Sequence, residues 1–303
     1  MGISETTGPR PGERTGPADQ PGPTVPRLIL GSRLRRLRLD LGISRESAAA
    51  RIGSSTSKIS RLELGRTGCK PRDLTGLLGL YGVTDEAERA DLLTLAGQAN
   101  TPGWWQPYCD VVPDWYQDFL GFEQAAAVIR TYDVQAVPEL LQTPEYADAV
   151  IRLAHRADPP EILARRAEVR LLRQQILHRA ASAPPQLWTV IDEAVLHRAV
   201  GGPRTMRAQL SHLLAMCELP HVTVQVLPLR NGGCATGAAP VTLLRLPGGE
   251  LPDIAYLEQL SSAVYFDRPA DTDPYAELLS HLVVEAATPE ESRHLVERAR
   301  AAL

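Results

Sequence analysis

Thr56, Ser57, Lys58, Ser60 and Arg61 fall within six consecutive positions, and each carries a hydroxyl or a cation. On one exposed helix face, such side chains supply donors and acceptors for base edges and positive charge for phosphates. Two short helices joined at Gly53 would position them. Ser44 and Ser55 stand where N-caps are expected, each hydroxyl able to accept from an orphan amide of the first turn. Ala48 and Ala49 are small enough for the second helix to cross close above the first, and Ile52, Ile59 and Leu62 supply the buried contacts between them. The spacing predicts a helix-turn-helix whose second helix enters the major groove of duplex DNA. Arg45, Ser55, Thr56, Ser57, Lys58, Ser60 and Arg61 are the expected DNA contacts. The competing reading, a helical hairpin inside an ordinary core, lacks the apolar outer face it requires.

Charge is distributed accordingly. The chain of 303 residues is −4 overall, yet residues 27–83 carry twelve Lys and Arg against Asp40, Glu46, Glu63 and Asp73, a balance of +8. The first 26 residues are −1 and the remainder from Thr84 is −11. A basic segment on an acidic body is the footprint of a phosphate-binding module joined to a sensing or partner-binding part. An apolar content of 44% with 22% charged residues fits a globular chain of about two domains. No apolar run of about 18 residues occurs, so no membrane span is expected, and the first residues lack the apolar core of a secretory signal. Cys69, Cys109, Cys217 and Cys234 form no CxxC pair, which points to a reducing cytoplasm rather than a disulfide framework. No metal or other cofactor is expected. His212, Cys217 and His221 are close in sequence but lack the fourth group a zinc site needs.

Residues 1–26, rich in Pro, Gly and charge, predict a disordered tail. Leu30, Leu34, Leu37 and Leu41 then recur at helical spacing before Gly42. Pro71 suits the first turn of a fourth helix that buries Leu74, Leu77, Leu78 and Tyr81, and Thr84 is expected to cap a fifth. Residues 27–98 thus form an all-α, five-helix head. The run from Ser44-Arg45-Glu46 through Ala49 and Gly53, followed by Ser57-Lys58-Ile59-Ser60-Arg61-Leu62-Glu63-Leu64-Gly65, resembles the phage-repressor and Cro type of helix-turn-helix, the XRE family. Many members carry Gln where Arg45 stands. The resemblance implies a double-stranded DNA operator. One short reading helix covers only a few base pairs, so two half-sites about one helical turn apart, and hence a homodimer, are expected.

Residues 99–122 form an aromatic-rich junction. Trp104, Trp105, Tyr108, Trp115, Tyr116, Phe119 and Phe122 are seven of the fifteen aromatics in the chain. They either staple the following helix to its core or line a ligand cavity. From residue 123 onward the patterning predicts an α/β (α+β) domain with a mixed sheet covered by helices. A helix is expected over 123–130, and another over 161–179 with Arg165, Arg166, Arg170 and Arg173 offset by Glu161 and Glu168. Strands are expected at 187–191, 222–227, 241–246, 253–257 and 262–266, with a helix over 205–218 between the first two. Helices over 275–286 and 289–302 close the chain, the latter with a capping box of Thr288 and Glu291. His197 with Asp192 and Glu193, or Glu123 with Arg170 and Arg173, could be assembled into acid–base pairs. No nucleophile elbow or phosphate loop accompanies them, so an enzyme is not expected.

This second part also resembles a known family. The stretch Val137-Pro138-Glu139-Leu140-Leu141-Gln142-Thr143-Pro144-Glu145-Tyr146, then Arg170, Arg173-Gln174 and Leu177, then Asp192 to Leu196 with Val200-Gly201-Gly202, Gln209-Leu210 and Val226-Leu227-Pro228, is similar to the actinobacterial domain DUF5753. The two resemblances together cover nearly everything after residue 27. The chain departs from the family at Glu139, where glycine is usual. The resemblance implies an antitoxin-like transcriptional regulator, its C-terminal domain over 123–303 responding to a small DUF397-type protein. The alternative is a regulator that senses a small molecule through Trp104, Trp105, Tyr108, Trp115, Tyr116 and Phe119.

Overall fold

The computed structural model describes residues 22–180 and 182–303. The expected tail therefore lies outside the described residues except for its last five. Those five are not tail: Thr24, Val25 and Pro26 are buried in the first turn of helix α1 (Thr24–Asp40). The reason is tertiary. α1 packs on α6 (Asp114–Ala125), and Thr24 fills the space left by Gly121, where an added Cβ would stand 2.0 Å from its hydroxyl oxygen.

The head continues with α2 (Arg45–Arg51), α3 (Thr56–Glu63), α4 (Pro71–Leu80) and α5 (Glu86–Asn100). Leu30, Leu34, Ala48, Ala49, Ile59, Leu62, Leu74, Leu77 and Leu78 make one core with Leu92 and Ala96. Two local expectations change. α1 ends at Asp40, which leaves Leu41 exposed at its C-cap ahead of Gly42 (φ +63°). The fifth helix is capped by Asp85, whose carboxylate accepts from the Ala87 and Glu88 amides, rather than by Thr84.

α1 belongs to two cores at once. Leu30 and Leu34 face the head, whereas Val25, with Leu28 and Ile29 beside it, packs into the core of the body. Arg33 adds a bidentate pair to Glu250, Nε and Nη2 donating at 3.0 and 2.5 Å. At Gly31 the helix touches the end of α3: an added Cβ would lie 2.4 Å from the Leu62 carbonyl oxygen and 2.8 Å from that of Glu63. Backbone cannot yield as a side-chain tip can. Gly31→Ala is expected to cost the head about 1–3 kcal/mol, read as a lowered melting temperature of α1–α3 by hydrogen exchange or calorimetry.

The body is built on a six-stranded mixed sheet of β1 (Val128–Asp133), β2 (Gln186–Asp192), β3 (Val222–Leu227), β4 (Val241–Arg245), β5 (Ile254–Glu258) and β6 (Ala263–Phe266), in the order β3-β2-β1-β4-β5-β6. β1, β2 and β3 run parallel, while β4 pairs antiparallel with β1, β5 antiparallel with β4 and β6 antiparallel with β5. Parallel pairs need long crossovers. α7 (Pro144–Ala154) and α8 (Pro160–Gln174) make the first, α9 (Glu193–His197) and α10 (Pro203–Met216) the second. One sheet face packs under α6, α10 and α12 (Pro289–Ala301), the other under α11 (Pro269–Glu285) through Leu279 and Leu282.

Five of the six strands lie where the patterning predicts them, and the Thr288–Glu291 capping box is present. The helix expected over 123–130 is overturned: α6 stops at Ala125 and β1 follows. Val128-Ile129-Arg130-Thr131-Tyr132 is rich in β-branched residues and ends in an aromatic, and its ladders come from β2, 58 residues on, and from β4, farther still. The helix expected to reach 179 ends at Gln174 and tightens into a 3-10 turn, Gln175–His178.

Candidate nucleic-acid interface

The helix-turn-helix forms as its caps dictate. The Ser44 hydroxyl accepts from the Ser47 amide at 3.1 Å, and that of Ser55 from the Lys58 amide at 3.2 Å. Gly53 turns the chain at φ +60°, where a side chain would be strained. Ile59 and Leu62 point inward, each at most 2% exposed. Ser55, Thr56, Ser57 and Arg61 are exposed, while Lys58 and Ser60 are partly covered. The face that α3 turns to solvent therefore consists of hydroxyls and cations.

Glu63 secures this arrangement from beneath. Its carboxylate accepts Arg38 Nε and Nη2 at 2.5 and 3.0 Å, and Arg45 Nε at 3.1 Å, while Arg38 Nη1 donates to the Ile43 carbonyl at 2.8 Å. One buried ion pair thus joins the end of α1, the approach to α2 and the end of α3. Burial pushes the Glu63 carboxyl up, but the two guanidiniums outweigh it and hold it below its ordinary value. Arg61 is not a partner of Glu63, so nothing in this network holds it off DNA. Arg45 is only half committed, with 41% of its side chain exposed. Lys58 is engaged, its Nζ 2.6 Å from Asp73 Oδ2 on α4. Arg35, Arg36, Arg51, Arg66, Lys70 and Arg72 are all exposed elsewhere on the head.

The aromatic segment is packed solid. Trp105 is buried with Val111, Val112, Leu120 and Val169, and Trp104 meets it edge-on at 5.8 Å. Arg165 lies over the Tyr108 ring at 5.1 Å. Trp115 meets Tyr116 edge-on, Tyr116 stacks on Phe119, and Phe119 stacks on Tyr256 of β5 at 4.2 Å. Two surface recesses, of about 520 and 260 Å³, are lined instead by α7 with Gly201 and Thr205, and by α1 and α5 with Glu250. Neither of these two is walled by the rings.

Beneath the rings sits an ionic network. Arg173, 5% exposed by side chain, donates to both Glu123 oxygens at 2.8 Å and to Glu139 and the Tyr116 hydroxyl. Arg170 takes the other Glu139 oxygen. Burial opposes ionisation of Glu139, but these two guanidiniums hold its carboxyl down at about 2.

Residues 29–92 match the helix-turn-helix domain family, and residues 116–298, more than half of the chain, match the family described as a domain of unknown function, DUF5753. The chain belongs to the DUF5753 family. Comparison with curated proteins and with solved structures gives no match. With a helix-turn-helix domain at its head, the chain is a DNA-binding regulator, and no helix among the described residues is long and apolar enough to cross a membrane.

Within the DUF5753 body, the residues considered for acid–base work are placed otherwise. Asp192 caps α9 by accepting the Ala194 amide, while exposed His197 stands 4.0 Å from Glu193. Glu123 pairs with Arg173, and Arg170 turns to Glu139. Arg165 and Arg166 pair with Asp110 and Asp158 rather than with Glu161 and Glu168 on their own helix. His221 contacts the Leu177 carbonyl, and among the described residues no group of three or more His, Cys, Asp or Glu is arranged to hold a metal ion. Glu139 has an ordinary backbone, opening the 3-10 turn Glu139–Leu141, and its side chain joins the ionic network. The departure from the family's glycine was the one sequence signal for that role.

Asp133, at the end of β1, gives the body a pH response. Burial, with Glu139 nearby, raises its carboxyl to about 6, against a 2.6 Å hydrogen bond from Thr131 and a longer one from Thr189. The fold prefers the neutral acid. That contribution is complete below the ordinary Asp value of about 4 and is lost as pH rises through about 6. Asp133→Asn, neutral throughout and still able to accept from Thr131, is expected to flatten this part of the stability profile in thermal melts. Glu139 works in the opposite window, losing its contribution as pH falls toward about 2.

Proposed function

We propose that the chain is a sequence-specific transcriptional regulator that binds a two-fold operator as a homodimer. Thr56, Ser57, Ser60 and Arg61 read base edges, while Ser55 and Arg45 meet phosphates. The observation that carries this reading is the outer face of α3, which presents only hydroxyls and cations within a segment, residues 27–83, of charge +8. A core hairpin would present apolar side chains there. One such helix spans too few base pairs for selective binding, which favours two copies on half-sites about 34–36 Å apart.

The DUF5753 body acts as a docking part for a small DUF397-type protein and not as an enzyme, in an antitoxin-like regulator of actinobacterial type working in the cytoplasm. Residues 123–303 carry 17 Arg against 22 Asp and Glu, a net charge of −5 that favours a basic or amphipathic partner over nucleic acid. Genome-wide DNA capture with and without co-expressed partner tests both halves. The expected result is a set of inverted repeats whose occupancy changes when the partner is present. Single unpaired sites would contradict the dimer, and occupancy indifferent to the partner would contradict the docking role.

A further inference from the structure

Lys58 occupies the third position of α3, beside residues expected to face DNA, yet its ammonium is spent inside the head. Nζ lies 2.6 Å from Asp73 Oδ2, with 30% of the Lys58 side chain and 13% of that of Asp73 exposed. Asp73 stands in the first turn of α4, two residues after Pro71. The fully buried Cys69 lies against the pair, its thiol raised to about 12 by burial and then by Asp73, with Lys58 opposing. If Lys58 left for a phosphate, Asp73 would stay behind in a largely dry junction without its counter-ion, and that cost favours the ion pair. Arg61, by contrast, makes no ion pair among the described residues and is exposed.

We propose that Asp73 is a positioning residue of the DNA interface, holding the Lys58 ammonium off the phosphates so that α3 presents one cation fewer than its sequence contains. The proposal rests on the reading of α3 as the DNA-facing helix. A phosphate contact tightens binding to every sequence alike and carries no base information. Withholding one therefore lowers the affinity for bulk DNA while leaving base recognition to Thr56, Ser57, Ser60 and Arg61.

The test is the salt dependence of full-length protein binding to a duplex of random sequence. Asp73→Asn keeps the shape of the side chain and releases Lys58. The slope of log K against log salt should steepen by about 0.9 per protomer, with roughly three- to tenfold tighter binding at about 0.1 M salt. Lys58→Met in the wild-type background should leave the slope unchanged, and Lys58→Met added to Asp73→Asn should return it to the wild-type value. The Asp73→Asn chain and the double variant carry the same uncharged side chain on α4, so comparing them isolates the lysine from any effect on that helix. A slope that flattens in Lys58→Met alone, or that does not move in Asp73→Asn, overturns the proposal while leaving α3 as the DNA-facing helix. A wild-type chain with no salt-dependent binding removes the DNA reading itself, and the proposal with it.

Discussion

Arg173→Met is expected to destabilise the body by about 3–5 kcal/mol, the range for removing one partner of a buried ion pair. The arginine is 5% exposed by side chain, and Glu123, which it holds with two hydrogen bonds, is 4% exposed. Methionine restores the bulk that packs over the Tyr116 and Phe119 rings, where the guanidinium carbon sits 5.4 and 5.3 Å from the centroids. What it cannot restore is charge. Glu123 would be left buried without a cation, and Glu139 would keep Arg170 alone. For a body of this size, that loss lowers the melting temperature by roughly 6–20 °C. Adding Glu123→Gln to the same chain should recover part of the loss, because the stranded carboxylate is the larger share of the cost. A fall of only one or two degrees in calorimetry would show that the network contributes little.

Glu63→Ala carries a similar cost in the head, again about 3–5 kcal/mol. Its side chain is 2% exposed and that of Arg38 is 7% exposed. Without the carboxylate, Arg38 keeps its bond to the Ile43 carbonyl, but the ends of α1 and α3 lose their link. DNA binding should weaken for every sequence, because α3 is no longer held at a fixed angle. Glu63 itself is buried and cannot touch a base, so the effect reports positioning. Hydrogen exchange should show the loss confined to α1, α2 and α3. The pair also has a pH signature. Since Glu63 is held below its ordinary range, its contribution is complete above that range and is lost on acidification through the folded value. Unchanged protection in α1–α3 would count against the role given to this pair.

The head was readable because its determinants are local. Ser44, Ser55, Gly53 and Pro71 act within one turn of where they stand, and the apolar spacing of Leu74, Leu77 and Leu78 needs no distant partner. What escaped depends on distance in the chain. Thr24 to Pro26 read as tail until α6 covers them, some 90 residues later. β1 reads as a continuation of the alanine-rich end of α6, and becomes a strand through β2 and β4. The arginines of α8 had acidic neighbours at helical spacing, but Asp110, Asp158, Glu123 and Glu139 reach them from other elements. Likewise the seven aromatics of 101–122 were visible as a cluster, whereas their packing against β5 and α8 was not.

Among the expected contacts, the sequence separates Lys58 from Arg61 by nothing but position. Asp73 separates them in the fold, engaging the first and leaving the second exposed. Arg61 is therefore the most direct probe of whether α3 reads DNA. Fluorescence anisotropy on a duplex selected by the wild-type chain, compared with one of scrambled sequence, measures this. Arg61→Ala should weaken binding to the selected duplex by about 1–3 kcal/mol, or roughly five- to 150-fold, and narrow the gap to the scrambled one. Unchanged affinity for the selected duplex, with the variant folded, would contradict the assignment of α3 as the reading helix.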